Sequence, residues 1–97
     1  MPSPHKLCSQ DEWNTIGTVL MSPHRTLVLR ELSKGEATPK GLSGVTGIAP
    51  SHVSSALRTL MSKDLVTCLS PDLRRGRLYS ITEKGRRILE SVNKIRA

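Results

Sequence analysis

Residues 49–60 read APSHVSSALRTL, a stretch whose polar members are almost all small. At 100° per residue, Val53, Ala56, Leu57 and Leu60 share one arc of a helix. Ser51, Ser55 and Ser62 hold the opposite arc, His52, Arg58 and Thr59 flank it, and Ser54 lies to its side. A solvated helix face in a chain with 24% charged residues would be expected to carry Lys and Glu; this one carries serine. Short hydroxyl side chains let a helix backbone come close to another surface, and each can donate or accept a hydrogen bond. A single arginine beside them adds a planar fork that fits paired acceptors. Such a face suits a closely spaced array of donors and acceptors, which is what base edges in a DNA major groove present.

A second polar cluster lies downstream in PDLRRGR, residues 71–77. Pro71, Asp72 and Gly76 are turn formers, and Arg74, Arg75 and Arg77 crowd the same turn. The net charge of +7 is uneven along the chain. Met1 to Asp72 holds seven Lys/Arg against six Asp/Glu, whereas Leu73 to Ala97 holds eight against two. A localised basic surface is the electrostatic footprint of a polyanion binder. The arginines are suited to phosphates or to a narrow A·T-rich minor groove. Lys40 is a further candidate for a phosphate contact. If roughly six phosphates are neutralised per protomer, log affinity should fall with log salt at a slope of about −5.

The remaining reactive side chains form no catalytic or metal-binding pattern. His5, His24 and His52 are scattered, and Cys8 and Cys68 stand sixty residues apart, far from any redox or ligand spacing. No phosphate-cradling glycine loop or nucleophile elbow is present. The expectation is therefore a non-enzyme without cofactor or metal. No apolar run approaches the length of a membrane span or a signal peptide, which points to a cytoplasmic protein with reduced thiols and no membrane partner.

Elements must hold these groups in place. Ninety-seven residues with 36% apolar content support one domain with one modest core. Phe is absent, and Trp13 and Tyr79 are the only aromatics, so that core must be aliphatic. Residues 1–8, with two prolines and no period, read as a flexible leader. Residues 9–97 read as a single domain. Its N-terminal helix spans 9–21, opened by a Ser9/Glu12 capping box and weakened by Gly17. A helix over 22–34 follows, capped by Ser22 with Pro23 at its first position and Gly35 beyond its end. Leu27, Val28, Leu29 and Leu32 give it a wide apolar stripe. Residues 38–62 hold two helices around a tight turn: Thr38 caps the first, which should carry Leu42 and Val45 inward, and Gly47 turns the chain. From 65 to 81 the apolar period falls to two, which places Val66 with Cys68 and Tyr79 with Ile81 on the inner faces of a hairpin. Cys68 is expected to be buried. Thr82 caps a closing helix over 82–96 with Ile88, Leu89, Val92 and Ile95 on one stripe.

The order is mainly α with a small β-hairpin (α+β): a winged helix-turn-helix with extra N- and C-terminal helices. GIAPSHVSSALRTLMSKDLV resembles the recognition-helix segment of MarR- and ArsR-type regulators, and RGRLYSITEKGRRIL resembles their wing strand running into the closing helix. The similarity covers roughly Pro23 to Leu89. Three positions depart from the usual pattern. Ala49 stands where a capping Ser or Thr begins the recognition helix, a loss on the order of 1 kcal/mol. Thr46 replaces an apolar residue before the turn glycine, and Asp64 replaces a glycine and must tolerate a left-handed backbone.

The resemblance implies double-stranded DNA as partner, with Lys40, Ser51, His52, Ser54, Ser55, Arg58, Arg74, Arg75 and Arg77 as contacts, in a transcriptional regulator. It also implies a homodimer. Trp13, Ile16 and Leu20, with Ile88, Val92 and Ile95, form two apolar stripes that either pack on each other within one chain or meet a twofold mate. Winged helices also serve as protein–protein or RNA interaction modules in transcription, replication or RNA-processing assemblies, and fold alone does not separate the two roles.

Overall fold

The structure, a computed structural model, describes residues 10–74 and 76–96, the side chain of Arg96 excepted. The expectations for the leader, Ser9, His5, Cys8 and Arg75 fall outside those residues. Five helices and one hairpin follow in the order α1 (Gln10–Leu20), α2 (Pro23–Leu32), α3 (Pro39–Thr46), α4 (Pro50–Ser62), β1 (Val66–Cys68), β2 (Tyr79–Ile81) and α5 (Glu83–Arg96).

Helix starts follow local hydrogen-bond chemistry. Ser22 accepts from the Arg25 amide at 3.4 Å and Thr38 from the Gly41 amide at 3.0 Å, each with proline next in the chain. Thr82 does double duty: its hydroxyl accepts from the Gly85 amide at 2.9 Å and donates to the Asp64 carbonyl at 2.7 Å. That ties the start of α5 to the turn after α4. Asp64 has φ 62, the left-handed conformation its position demands. Ala49 makes no side-chain cap, and the first bonds of α4 run from the His52 and Val53 amides to its carbonyl.

The turn between α3 and α4 is braced by hydroxyls. Gly47 takes φ 75. Thr46 donates to the Leu42 carbonyl at 2.6 Å and accepts from the Ile48 amide at 3.2 Å, while Ser43 donates to the Ile48 carbonyl at 2.6 Å. Thr46 therefore supplies by hydrogen bonding what an apolar residue would supply by packing.

The core is a single aliphatic cluster. Leu29 and Leu32 of α2, Leu42 of α3, Val53 and Leu60 of α4, Leu65, and Ile88 and Val92 of α5 are almost wholly buried. Buried Thr26 donates to the Val19 carbonyl at 3.1 Å, fastening α2 to the end of α1. The hairpin is antiparallel, with Val66 opposite Ile81, Thr67 opposite Ser80 and Cys68 opposite Tyr79. Tyr79 also pairs with Ala37 on its other edge, at 3.1 and 2.8 Å, so the segment before α3 forms a third, one-residue rung.

Three expectations are corrected. Val45 is 68% exposed because α3 is only eight residues long and meets the core through Leu42 alone. Leu27 lies at the rim of the α2 stripe and is exposed, and Cys68 is half-buried at the end of its short strand. The two terminal stripes pack on each other within the chain: Ile16, Ile88 and Val92 are sealed in the core, whereas Trp13, Leu20 and Ile95 keep surface.

Candidate nucleic-acid interface

α4 lies on α2 and α3 through Val53, Ala56, Leu57 and Leu60, which leaves its serine side to solvent. Ser51, His52, Ser54, Ser55 and Arg58 are all exposed. The hairpin loop stands on one flank of this helix. An open groove of about 670 Å³ runs between them, lined by Ser54, Leu57, Arg58 and Met61 of α4, by Arg74, Gly76 and Arg77 of the loop, and by Tyr79. Thr38, Pro39 and Lys40 at the start of α3 close its third side. Four cations from three segments, Lys40, Arg58, Arg74 and Arg77, therefore converge on one groove beside the serine face. Among the described residues none of the four is paired with a carboxylate.

Local structure aims the loop. Gly76 takes φ 68, Ser70 accepts from the Leu78 amide at 2.9 Å, and the Arg77 Nε–H donates to the Leu73 carbonyl. Below the tip, the Leu69 amide donates to Leu78 at 2.7 Å, extending the ladder beyond the two short strands. Arg74 and Arg77 thus stand on a loop braced at its base.

The other flank of α4 holds a feature that sequence reasoning left unconnected. The rings of His52 and His24, from the first turns of α4 and α2, stack with centroids 4.9 Å apart and an interplanar angle of 22°. Each histidine was visible in the sequence, but its partner is set by the packing of α2 on α4. The groove residues Thr38, Leu57 and Tyr79 were likewise read only as a cap or as core, and Met61 was given no role. Among the described residues no group of three or more His, Cys, Asp or Glu gathers at metal-binding distance, and no helix is long and apolar enough to cross a membrane.

Solved structures share this fold. A fragment of a possible transcriptional regulatory protein from Mycobacterium bovis superposes with a TM-score of 0.70 at 26% identity, covering 93% of this chain and 96% of that one. This is a winged helix-turn-helix. The winged helix also matches a Mycobacterium bovis fragment described as a homodimeric DNA-binding domain of a possible ArsR-family regulator, with a TM-score of 0.65 at 24% identity over 98% of this chain and 84% of that one. Staphylococcus aureus MarR, solved with salicylate and kanamycin, matches with a TM-score of 0.63 at 26% identity over 74% of this chain and 52% of that one. The winged helix spans about half the length of that protein and of Lactococcus lactis ZitR. No family model and no curated protein matches it in sequence.

Proposed function

We propose that the chain is a sequence-specific double-stranded DNA-binding protein that regulates transcription and has no enzymatic role. The observation that carries this reading is the convergence of Arg58 from α4 with Arg74 and Arg77 from the wing on one groove beside the serine face. α4 enters the major groove, where Ser51, Ser54, Ser55 and His52 meet base edges or phosphates and Arg58 forks onto guanine. The wing arginines, Arg75 among them, hold the flanking backbone or reach its minor groove, and Lys40 adds a phosphate contact.

The second element of the proposal is a twofold pair. Trp13, Leu20 and Ile95 retain surface at the α1–α5 end of the molecule, and the similar Mycobacterium bovis domain is homodimeric. Twofold pairing sets two recognition helices about 34 Å apart, one turn of DNA. We further place this activity in the cytoplasm, with the thiols reduced.

Salt-titrated fluorescence anisotropy on duplex DNA tests the reading. Four phosphate contacts per protomer give a log–log slope of about −3.6, and each further arginine adds about −0.9. Binding of one protomer should therefore weaken about 150-fold between about 50 and about 200 mM salt, and binding of the twofold pair by about the square of that factor. No binding at the lower salt would favour a protein–protein or RNA interaction module instead.

A further inference from the structure

The wing covers one flank of α4, and the other flank carries the stacked pair His52–His24. We infer that this pair forms a second, proton-linked phosphate site, with His24 of α2 contacting the DNA strand on the side of the major groove away from the wing. The inference rests on the DNA reading given above.

The geometry follows from the helical wheel. With the buried arc of α4 centred between Val53 and Leu60, Arg58 and Ser54 turn toward the wing, whereas His52 turns the opposite way, toward the first turn of α2. A helix in a groove about 12 Å wide is bordered by two phosphate strands. Lys40, Arg74 and Arg77 lie on the side of one of them. On the other side the stacked imidazoles of His52 and His24 stand beside α4.

The chemistry of this pair is that of a cation site in waiting. Imidazole side chains change charge between about pH 5 and about pH 8, and a protonated ring donates from both nitrogens. The two rings stand 4.9 Å apart, close enough for one anion to meet both. Among the described residues, the segments that meet at the pair carry no carboxylate. Residues 15–20 of α1, residues 23–29 of α2, the turn at 47–49 and the first two turns of α4 contain no carboxylate. The one other charge in those segments is Arg25, whose guanidinium donates to the Thr18 carbonyl at 2.7 Å. Arg58 lies on the opposite flank of α4 and Lys40 at the far end of α3. A DNA phosphate would be the missing anion.

The sign of the linkage follows. If the bound phosphate favours the protonated pair, binding takes up protons, and affinity rises as pH falls. Uptake averaging about half a proton between about pH 8 and about pH 6 should tighten binding about tenfold at constant ionic strength.

The test is anisotropy with a short duplex across that range, for the full chain and for His24→Gln. His5 is present in both proteins, so its titration cancels. Support requires that the wild type tighten about tenfold and His24→Gln by about threefold or less, with both melting at the same temperature. In imidazole proton spectra, the midpoints of two histidines should rise when duplex is added. DNA binding that is independent of pH in the wild type, or an equal pH dependence in His24→Gln, would overturn the site while leaving the DNA reading intact. Failure of the wild type to bind duplex at any pH would remove both. A variant that melts early is set aside in favour of the imidazole titration, where midpoints unmoved by DNA overturn the proposal.

Discussion

Gly85→Ala should unfold the protein at a lower temperature, against the usual expectation for a glycine inside a helix. Gly85 lies in the first turn of α5, where it passes over the turn that follows α4. A Cβ placed there would collide with the Leu65 carbonyl oxygen and sit 2.7 Å from Ile81 Cγ1. Ordinary carbon contacts begin near 3.5 Å, so α5 would have to shift by about 1 Å. Neither obstacle yields easily. The Leu65 carbonyl accepts the Thr82 amide at 3.0 Å, and Ile81 belongs to the core. Overpacking against backbone costs about 3 kcal/mol, and the helix propensity gained on replacing Gly by Ala returns about 1 kcal/mol. The net loss of about 2 kcal/mol corresponds to a Tm lower by about 10 °C for a domain of this size. Gly17→Ala in α1 is the matched control: nothing stands within 4 Å of its Cβ position, so propensity alone should raise Tm by about 5 °C. Thermal melts followed at the helix band read both. A Tm for Gly85→Ala at or above that of the wild type would refute the close approach of α5 to the α4–β1 turn, and with it the way the wing is anchored.

Other perturbations read other parts of the account. Ala49→Ser supplies the missing side-chain acceptor at the start of α4, where the backbone is already extended (φ −57, ψ 144), and should raise Tm by about 5 °C. Arg58→Ala should flatten sequence preference in a selection from random duplexes, whereas Arg74→Ala should weaken all duplexes alike and reduce the salt slope by about 0.9; identical behaviour would deny the two arginines separate roles. Trp13→Ala combined with Ile95→Ser should shift a sedimentation concentration series toward monomer without lowering helicity, since both side chains keep surface in the single chain. A wild type that stays monomeric across the series would remove the twofold pair.

Much of this architecture was legible in the chain because three of the helix starts are written locally. Ser22–Pro23, Thr38–Pro39 and Thr82 announce starts through side-chain acceptors and a preset φ, and the switch to period two announces the hairpin. The left-handed backbone of Asp64 was legible only through the resemblance, since Asp64 stands where those regulators carry a glycine. What the sequence left open is what depends on neighbours. Periodicity gives the face of a helix and not what covers it, so Val45 reads as core although α3 reaches the core only through Leu42. The terminal stripes left two pairings open, and the packing of α1 on α5 selects one. Tyr79 pairing with Ala37 and His24 stacking on His52 join segments more than twenty-five residues apart, and no local signal encodes either. The serine face and the arginine turn were both visible, but only the folded chain puts Arg58, Arg74, Arg77 and Lys40 around one groove.

The most direct test of the central claim is amide chemical-shift mapping of the full chain as a duplex is added. The account predicts that the shifted amides cluster at the start of α3, along residues 51–59 of α4 and around residues 74–77 of the wing. Shifts centred instead on the outer surfaces of α1 and α5, with α4 and the wing unmoved, would contradict it.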